Sequence, residues 1–447
     1  MGVLAPDLLS KSGRAIRDPK HTALDIPVTE LPENIRDRTN CPGCTIPQKR
    51  RPLRVCMVTY TFYETDSRVM RYAEALAQRG DQVDVFALRR PGTARNESLC
   101  GVRVHRLQER LFDERSRFSY IWRILLFLTR ALYHVSTGDL QKKYDLVHVH
   151  SVPDFLVLSA LLPRLRGTPV ILDIRDILPE FYASKFGVSQ KSIGFRLMCI
   201  VERICAGFAS HVIAANHAWQ KRLLSRSVEP DGCSVMLNVP DRSIFVRSTK
   251  TKCPEDRFVL LYHGTLNWHQ GLDLAIRAFA KIKDLAPEAD FHIYGDGPLK
   301  ADLLGLIEQL GLDSRVLVHE RKPLREISSV IETAKLGIVP KRKDTFGNEA
   351  FSTKTLEFMA MGVPVIVSDT KVDRHYFDDS VVRFFQGDDE DDLARCMLDL
   401  IRHPEKRMAL VQRAEQFVAN KDWALNKQEY LDLVDCFAPP TVSPVRG

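Results

Sequence analysis

Two glutamates with a lysine between them are the residues of this chain whose types and spacing best suit the binding of a polar ligand. Glu349 and Glu357 enclose seven residues, one of which is Lys354. A carboxylate accepts hydrogen bonds from hydroxyl groups, whereas an ammonium group neutralises a phosphate. Because two carboxylates would repel a phosphate alone, the ligand must carry hydroxyl groups that flank its phosphates, as a sugar nucleotide does.

The residues around this group predict a loop, a helix and a buried strand. Ser352 or Thr353 can cap the helix, because a hydroxyl group accepts hydrogen bonds from the free N–H groups of the first turn. Gly362 stands where a left-handed residue ends a helix, and residues 363–367 form the short apolar run of a parallel strand. A helix N-terminus offers N–H donors and a partial positive charge, which suit a phosphate beside Lys354.

The elements that must position this segment alternate between strands and helices in two series. In the first series, we predict strands at 53–59, 82–88, 102–107, 146–150, 170–173 and 211–215. In the second series, we predict strands at 259–263, 290–294, 315–319, 336–340 and 363–367. The alternation predicts an α/β fold with two doubly wound Rossmann-like domains facing a central cleft, where the carboxyl ends of the strands bind ligands. The predicted domains are 51–238 and 239–415, preceded by a disordered extension at 1–50.

Composition excludes several classes of function. The 447 residues exceed one ordinary core, and a formal net charge of +7 is too small for a nucleic-acid-binding footprint. No apolar run is long enough to span a bilayer, and the chain does not open with a signal peptide. The ten scattered cysteines fit free thiols in a reducing compartment. The single Cys-x-x-Cys motif at 41–44 is interpreted as a turn rather than a zinc site. We therefore predict a cytoplasmic protein.

The run from Ser352 to Val365, Ser-Thr-Lys-Thr-Leu-Glu-Phe-Met-Ala-Met-Gly-Val-Pro-Val, resembles the E-x7-E motif of the retaining glycosyltransferases with two Rossmann-like domains. These enzymes have the GT-B fold, and the variant here is similar to the family 4-like branch that acts in bacterial surface-polysaccharide assembly. The resemblance implies a nucleotide-sugar donor, bound by the second domain, and a glycan, lipid-linked or small-molecule acceptor, bound by the first. It implies that Glu349 contacts the donor sugar and Glu357 the ribose hydroxyls. It also implies that residues 416–447 contain a helix that crosses back to the first domain, followed by a short tail.

A second segment, residues 262–271, matches the phosphate-binding loop of this family. Gly264 permits close backbone approach, but Thr265 and Gln270 replace the arginine and lysine that many members carry. The replacements shift diphosphate neutralisation onto Lys354, residues 341–343 and the helix N-terminus; an ordinary βα turn is the alternative interpretation. A glycine-rich turn follows the 290–294 strand and matches a family pattern in which glycines lie against the nucleotide. The donor-binding candidates are Gly264, Thr265, Gln270, Gly295, Gly297, Ser352, Thr353, Lys354, Thr355 and Glu357.

Further candidates follow a strand of the first series. Arg175 occupies a position that is often a histidine in the family, and the Arg-Asp and Pro-Glu pairs around it resemble the surface-polysaccharide branch. Retaining transfer needs little from a protein base, because the leaving diphosphate can take the acceptor proton while cations stabilise the developing charge. We interpret Arg175 and Asp176 as orienting or electrostatic groups, with an interdomain salt-bridge cluster as the alternative. The catalytic candidates are Glu349, Arg175, Asp176 and His150.

Two histidines, His148 and His150, lie on one face of a predicted strand. His150, at the strand terminus, is the candidate for the cleft, and His148 is expected in the core. Neither has a carboxylate at metal-ligand spacing, and no Asp-x-Asp motif stands in a suitable loop, so we predict catalysis without a metal or another cofactor. Asp66 or Ser67 is expected to cap the first helix.

Residues 118–133 predict a helix with aromatic and leucine side chains and flanking arginines. The helix is too short and too charged to span a bilayer, but it can lie in the membrane interface and present a lipid-linked acceptor. The protein would then sit peripherally on the inner face of the membrane. The alternative is a helix that faces the core of the first domain.

Two other functions are compatible with these features. Non-hydrolysing sugar-nucleotide epimerases share the two-domain architecture, although the run at 352–365 argues against an isomerase. A catalytically silent sugar-nucleotide-binding protein would explain the replacements at Thr265 and Gln270.

Overall fold

The computed structural model describes residues 51–110, 117–247 and 257–438, and these belong to one compact unit. They form two sheets in succession along the chain, each with helices on both faces. The predicted extension at 1–50, the cysteine pair at 41 and 44 and the tail at 439–447 lie outside the described residues.

The first sheet contains eight strands. Their bounds are β1 Arg54–Phe62, β2 Gln82–Arg89, β3 Asn96–Leu99, β4 Val102–Glu109, β5 Leu146–His150, β6 Val170–Ile174, β7 His211–Ala214 and β8 Cys233–Val235. The strand order is β3-β4-β2-β1-β5-β6-β7-β8. Neighbouring strands are parallel except β3 and β4, which form an antiparallel edge. β3 is absent from the predicted strands because its sequence, Asn-Glu-Ser-Leu, has almost no apolar residues.

Helices cover both faces of this sheet, as a parallel sheet requires. Along β1, Val55 and Met57 pack in one core, whereas Cys56 and Val58 pack in the core on the opposite face. The helices of this part are α1 Ser67–Gln78, α2 Arg117–Gln141, α3 Leu161–Leu165, α4 Leu178–Phe186, α5 Ile193–Phe208 and α6 His217–Arg226. Short 3-10 helices span Tyr63–Thr65, Asp154–Ala160, Pro230–Gly232 and Trp268–Gln270.

The second sheet has six parallel strands. Their bounds are β9 Phe258–Thr265, β10 Ala289–Asp296, β11 Val316–His319, β12 Leu336–Val339, β13 Val365–Ser368 and β14 Arg383–Phe385. The strand order is β11-β10-β9-β12-β13-β14. The remaining helices are α7 Leu272–Ile282, α8 Lys300–Gln309, α9 Leu324–Ile331, α10 Thr353–Ala360, α11 Lys371–Tyr376, α12 Glu390–Arg402, α13 Pro404–Val418 and α14 Trp423–Cys436.

The last helix, α14, returns to the first sheet. The Tyr430 ring stacks on Tyr72 of α1 with the ring centroids 4.1 Å apart. The Tyr430 hydroxyl also lies 3.1 Å from Nδ1 of His148 on β5, within hydrogen-bond distance. These contacts place α14 on the first domain, and the predicted fold class is confirmed.

The helix predicted at 118–133 is part of α2, which has two different faces. Ile124 and Phe127 are buried in the core of the first domain, as the core-facing alternative expects. Ile121, Trp122 and Tyr133 are exposed on the other face. Among the described residues, no helix combines the length and the apolarity needed to cross a bilayer.

Candidate active site

Lys354 lies against the loop that follows β9. Its Nζ donates to Oε1 of Gln270 at 2.9 Å, and the Tyr262 hydroxyl lies 3.2 Å from the same oxygen. Gly264 has a φ of +128°, and a Cβ there would lie 2.5 Å from Cε of Lys354. Glycine is therefore needed at 264 for the lysine to cross the loop, beside the exposed Thr265. Burial lowers the pKa of Lys354 to about 8, so a nearby anion would stabilise its charged form.

The start of α10 carries hydroxyl groups without hydrogen-bond partners. Ser352 is the N-cap, yet its side chain makes no capping hydrogen bond. The Oγ of Ser352 and the Oγ1 of Thr355 are buried and have no partner among the described residues. The Thr353 side chain instead hydrogen-bonds to Glu357. The predicted capping by Ser352 or Thr353 is therefore wrong, and the first turn keeps the N–H groups that favour an anion.

Glu357 lies one turn along α10, near charges from both domains. Nε2 of His263 lies 3.4 Å from a Glu357 carboxylate oxygen. Burial raises the pKa of Glu357, and the positive charges of Lys354 and Arg71 oppose that rise. Arg71 belongs to α1, and it donates to the side-chain oxygen of Asn238 at 3.0 Å. A cation of the first domain therefore influences the carboxylate of the second.

Glu349 is held by a helix of the first domain. The Arg222 guanidinium on α6 donates to both carboxylate oxygens, with Nη2 2.6 Å from Oε1. Asn216, the N-cap of α6, donates to the Glu349 carbonyl oxygen at 3.1 Å. Neither partner can be found from the sequence, because Arg222 and Glu349 are 127 positions apart and no local pattern marks them as a pair.

A buried ion network lies where β5 and β6 end. The Arg68 guanidinium donates to both oxygens of Asp173, at 2.8 Å each, and Nδ1 of His150 donates to Asp173 at 3.0 Å. Asp173 is fully buried. Although burial alone would raise its pKa, Arg68 and His150 hold the pKa of Asp173 well below its usual range. Arg68 is the third residue, after Arg222 and Asn216, whose role has no local signal in the sequence.

Arg175 follows β6 and bridges this network to the start of α1. Its Nη1 donates to Oδ2 of Asp66 at 2.5 Å, and Asp66 also accepts from the Val69 N–H, which confirms it as the cap of α1. The Nε and Nη2 of Arg175 are buried without a hydrogen-bond partner among the described residues. Burial raises the pKa of the neighbouring Asp176 to about 6, against the charge of Arg175. Nε of Arg175 also lies 3.8 Å from Asp173, so this guanidinium joins the carboxylates of Asp66 and Asp173.

The two histidines of β5 differ from their predicted placement in one respect. His148 is buried in the core, as predicted, against Tyr430. His150 is also fully buried rather than exposed in the cleft, because its ring packs beside Tyr72 and donates to Asp173. The ligand atoms of His148, His150 and Asp173 lie within 4.8 Å of one another, as in a metal site. Both oxygens of Asp173 accept from Arg68, and one of them also accepts from His150.

The cations predicted at 341–343 are engaged by acidic residues. Nζ of Lys341 lies 2.8 Å from Asp373, and the lysine is almost fully buried. Nζ of Lys343 lies 3.1 Å from Asp369. Arg342 pairs with Asp273 at 2.5 Å. The structure therefore gives these three residues acidic partners, whereas Lys354 forms no ion pair among the described residues.

Gly295 and Gly297 are required by backbone packing. A Cβ at Gly295 would lie 2.0 Å from the Gly264 carbonyl oxygen, and one at Gly297 would lie 2.5 Å from the Leu266 carbonyl oxygen. These glycines therefore allow the turn after β10 to pack against the loop after β9. They shape the donor-side candidate site through that loop.

Replacing Gly295 by alanine is expected to lower the free energy of unfolding by more than about 2 kcal/mol, because the new Cβ must displace backbone. Gly305 on α8 is the matched control, since a Cβ there meets nothing within 4 Å. Gly305→Ala should raise the free energy of unfolding by about 0.5–1 kcal/mol, as alanine favours a helix. Urea unfolding followed by circular dichroism measures both, and equal effects of the two substitutions would contradict the packing account.

Two protein families match the chain. The family described as "Glycosyl transferase 4-like domain" matches residues 65–238, and the family described as "Glycosyl transferases group 1" matches residues 246–417. The chain is 29% identical to D-inositol 3-phosphate glycosyltransferase 1 of Catenulispora acidiphila over 264 residues, which are 54% of this chain and 60% of that protein. It is 28% identical to the putative colanic acid biosynthesis glycosyltransferase WcaL of Salmonella typhimurium over 149 residues, 33% of this chain and 36% of that protein. The matched regions span less than two thirds of these relatives.

The fold is similar to that of a solved structure, HepE of Anabaena in complex with UDP-glucose. The TM-score is 0.65 at 15% sequence identity, and the match covers 86% of this chain and 100% of that chain. At this identity the likeness concerns the fold alone. It agrees with the two-domain architecture described above.

Proposed function

This chain belongs to the group 1 glycosyltransferases with a glycosyltransferase 4-like N-terminal domain, and we propose that it transfers a sugar from a nucleotide-sugar donor to an acceptor. The proposed acceptor is a glycan or a lipid-linked precursor of a surface polysaccharide. The match to WcaL, whose name refers to colanic acid biosynthesis, supports this class of acceptor.

The observation that carries the proposal is the set of groups around the start of α10. Lys354 and the first-turn N–H groups suit a diphosphate. Glu357, one turn further, suits the ribose hydroxyls, and Glu349, on the loop before the helix, suits the hydroxyls of the donor sugar. In this arrangement, different groups of one segment bind the phosphates and the hydroxyls of one ligand.

We propose that transfer retains the anomeric configuration and needs no metal. The bond between the anomeric carbon and the diphosphate oxygen breaks, and the acceptor oxygen bonds to that carbon on the same face. The acceptor proton passes to an oxygen of the leaving diphosphate, so that no protein base is consumed. The guanidinium of Arg175 and the ammonium of Lys354 support this, because their positive charges can stabilise the negative charge that develops on the diphosphate.

The other catalytic candidates receive supporting roles in this proposal. Asp176 orients Arg175 through its neighbouring carboxyl group. His150 acts as a positioning residue, since its buried imidazole can only fix Asp173 and, through the shared network, Arg68 and Arg175.

Chelation of divalent cations should leave the transfer rate unchanged, as measured by nucleotide release.

Donor affinity is expected to fall as the pH rises through about 8, because Lys354 loses the charge that attracts the diphosphate. The ammonium is fully charged below that pH and neutral above it, so binding is favoured at the lower pH. Lys354→Met should weaken binding at pH 7 by about tenfold or more and remove this pH dependence. Calorimetric titration with the donor between about pH 6.5 and about pH 9.5 measures both. A pH profile that Lys354→Met leaves unchanged would exclude Lys354 as the group concerned.

We also propose that the outward face of α2 contacts a membrane and brings the protein near a lipid-linked acceptor. The exposed Ile121, Trp122 and Tyr133 support a contact with the membrane interface. Trp122→Ser should lower the fraction of protein that floats with liposomes. Unchanged flotation would contradict this contact without bearing on the transfer reaction.

The proposed function is tested first by binding. A nucleotide sugar that binds only the folded protein raises its melting temperature by mass action. We expect at least one member of a panel of UDP-, GDP- and TDP-sugars to raise the melting temperature of the wild type, and the shift to be smaller in Lys354→Met. If no member of the panel shifts the wild type, the donor assignment is wrong.

A further inference from the structure

Helix α5 exposes a stripe of large apolar side chains. Ile193, Leu197, Ile200 and Ile204 recur at the spacing that places side chains on one face of a helix. They are 86%, 54%, 54% and 59% exposed, respectively. Four isoleucine and leucine side chains in a row on the surface form an apolar patch that normally marks an interaction site.

The exposed charged side chains of α5 itself all have the same sign. Arg196 and Arg203 lie beside the apolar side chains on α5, are exposed, and pair with no acidic group among the described residues. The one carboxylate of α5, Glu202, is fully buried against Arg226 of α6. The outer face of α5 therefore combines apolar side chains with uncompensated positive charge.

The same combination continues across two neighbouring elements. The segment from Asp154 to Leu165, which contains α3, contacts both α2 and α5. It exposes Leu161 and Leu165 together with Arg164. The carboxylates of this segment and of α2, Asp154 and Asp139, are both buried. We call the exposed side chains of α2, residues 154–165 and α5 the arginine-rimmed face.

We propose that the arginine-rimmed face docks onto the surface of a bilayer that contains anionic phospholipids. Apolar side chains that protrude between arginines can enter the acyl boundary while the guanidinium groups pair with lipid phosphates. The proposal extends the α2 contact to α5 and residues 154–165, which become its larger part. It does not depend on the transfer reaction, because no residue of this face belongs to the candidate active site.

Self-association through this face is disfavoured by the same charges. A two-fold interface would bring Arg164, Arg196 and Arg203 of one copy against the same patch of the other. The described residues of its three elements include no exposed carboxylate that could pair with them, since Asp139, Asp154 and Glu202 are buried. An anionic bilayer supplies the missing negative charge.

The test compares vesicles of phosphatidylcholine alone with vesicles that also contain phosphatidylglycerol. The wild type should float with the anionic vesicles and not with the neutral ones, and added salt should release it. Ile200→Ser with Ile204→Ser should lower the bound fraction about tenfold or more, since two apolar side chains no longer leave water. Arg196→Glu with Arg203→Glu should abolish binding.

The matched control is Leu304→Ser with Leu425→Ser, two side chains on α8 and α14 that are 46% and 54% exposed. This control should bind like the wild type. The proposal would be overturned if the wild type did not bind anionic vesicles, if the face variants bound like the wild type, or if the control did not bind. Light scattering tests the alternative occupant. If the wild type is a dimer and the α5 variants are monomers with unchanged vesicle binding, the face binds a second copy of the chain instead.

Two further readouts keep these results interpretable. If an α5 variant melts at a lower temperature than the wild type, the proposal is tested by the wild type alone. Equal binding of the wild type to the neutral and the anionic vesicles would then overturn it. The rise in melting temperature with a nucleotide sugar should be the same in face variants and wild type. Loss of vesicle binding with an intact donor shift therefore separates this proposal from the proposed reaction.

Discussion

Replacing Glu349 by glutamine is expected to lower the rate of sugar transfer about a thousandfold, with the fold intact. The substitution keeps the size of the side chain but removes the negative charge that we assign to the donor sugar. Arg222 would not be left isolated, because its guanidinium also lies 3.5 Å from Glu180. The melting temperature should therefore change little while the initial rate of nucleotide release collapses.

Two companion variants make this prediction specific. Glu415→Gln removes an exposed glutamate that lies 3.6 Å from Arg247, beside Gly362 at the opposite end of α10 from the candidate site, and it should transfer sugar like the wild type. Arg222→Gln should lower the rate by a smaller factor, about tenfold to a hundredfold, because Glu349 keeps its charge but loses its fixed orientation. An active Glu349→Gln variant would refute the assignment of this glutamate.

Replacing Arg68 by methionine is expected to lower the free energy of unfolding by about 3–5 kcal/mol, because it leaves the charge of Asp173 buried without its bidentate partner. Both side chains are buried, so water cannot replace the lost hydrogen bonds. The matched control is Arg395→Met, which removes an exposed ion pair with Asp392 and should cost less than about 1 kcal/mol. Urea unfolding measures both, and similar losses in the two variants would contradict a buried network.

The same network predicts how the wild type responds to acid. The pKa of Asp173 is depressed in the folded protein, so its stabilising contribution is present above the unfolded pKa of about 4. That contribution is lost as the pH falls from about 4 toward the folded value. The loss of stability below pH 4 should be smaller in the Arg68→Met variant, because the carboxylate there has lost its main stabilising partner.

The local part of the candidate site could be predicted from the sequence. Gly362 ends α10 with a φ of +66°, and β13 follows as a buried strand, because a glycine and a short apolar run carry their structural meaning within a few residues. The alternation of strands and helices predicts both sheets for the same reason. The exceptions are the polar β3, the three-residue strands β8 and β14, which are too short to show a pattern, and the uncapped start of α10.

The long-range part could not be predicted. The pairing of Arg222 with Glu349 and that of Arg68 with Asp173 join residues 127 and 105 positions apart, and each arginine looks like an ordinary helical residue in the sequence. The burial of His150 follows from the return of α14 and the packing of Tyr72, and both elements are distant from His150 in the sequence. Tertiary packing therefore decides which charged groups meet, while local sequence decides where the elements begin and end.

The central claim is that this chain transfers sugar from a nucleotide-sugar donor with retention of configuration. The most direct measurement is proton NMR of the protein mixed with the nucleotide sugar that raises its melting temperature and with a candidate glycan acceptor. The account predicts release of free nucleotide together with a product whose anomeric configuration matches that of the donor, and no release with Glu349→Gln. An inverted product, an epimerised free donor, or a bound donor that is never consumed would contradict it.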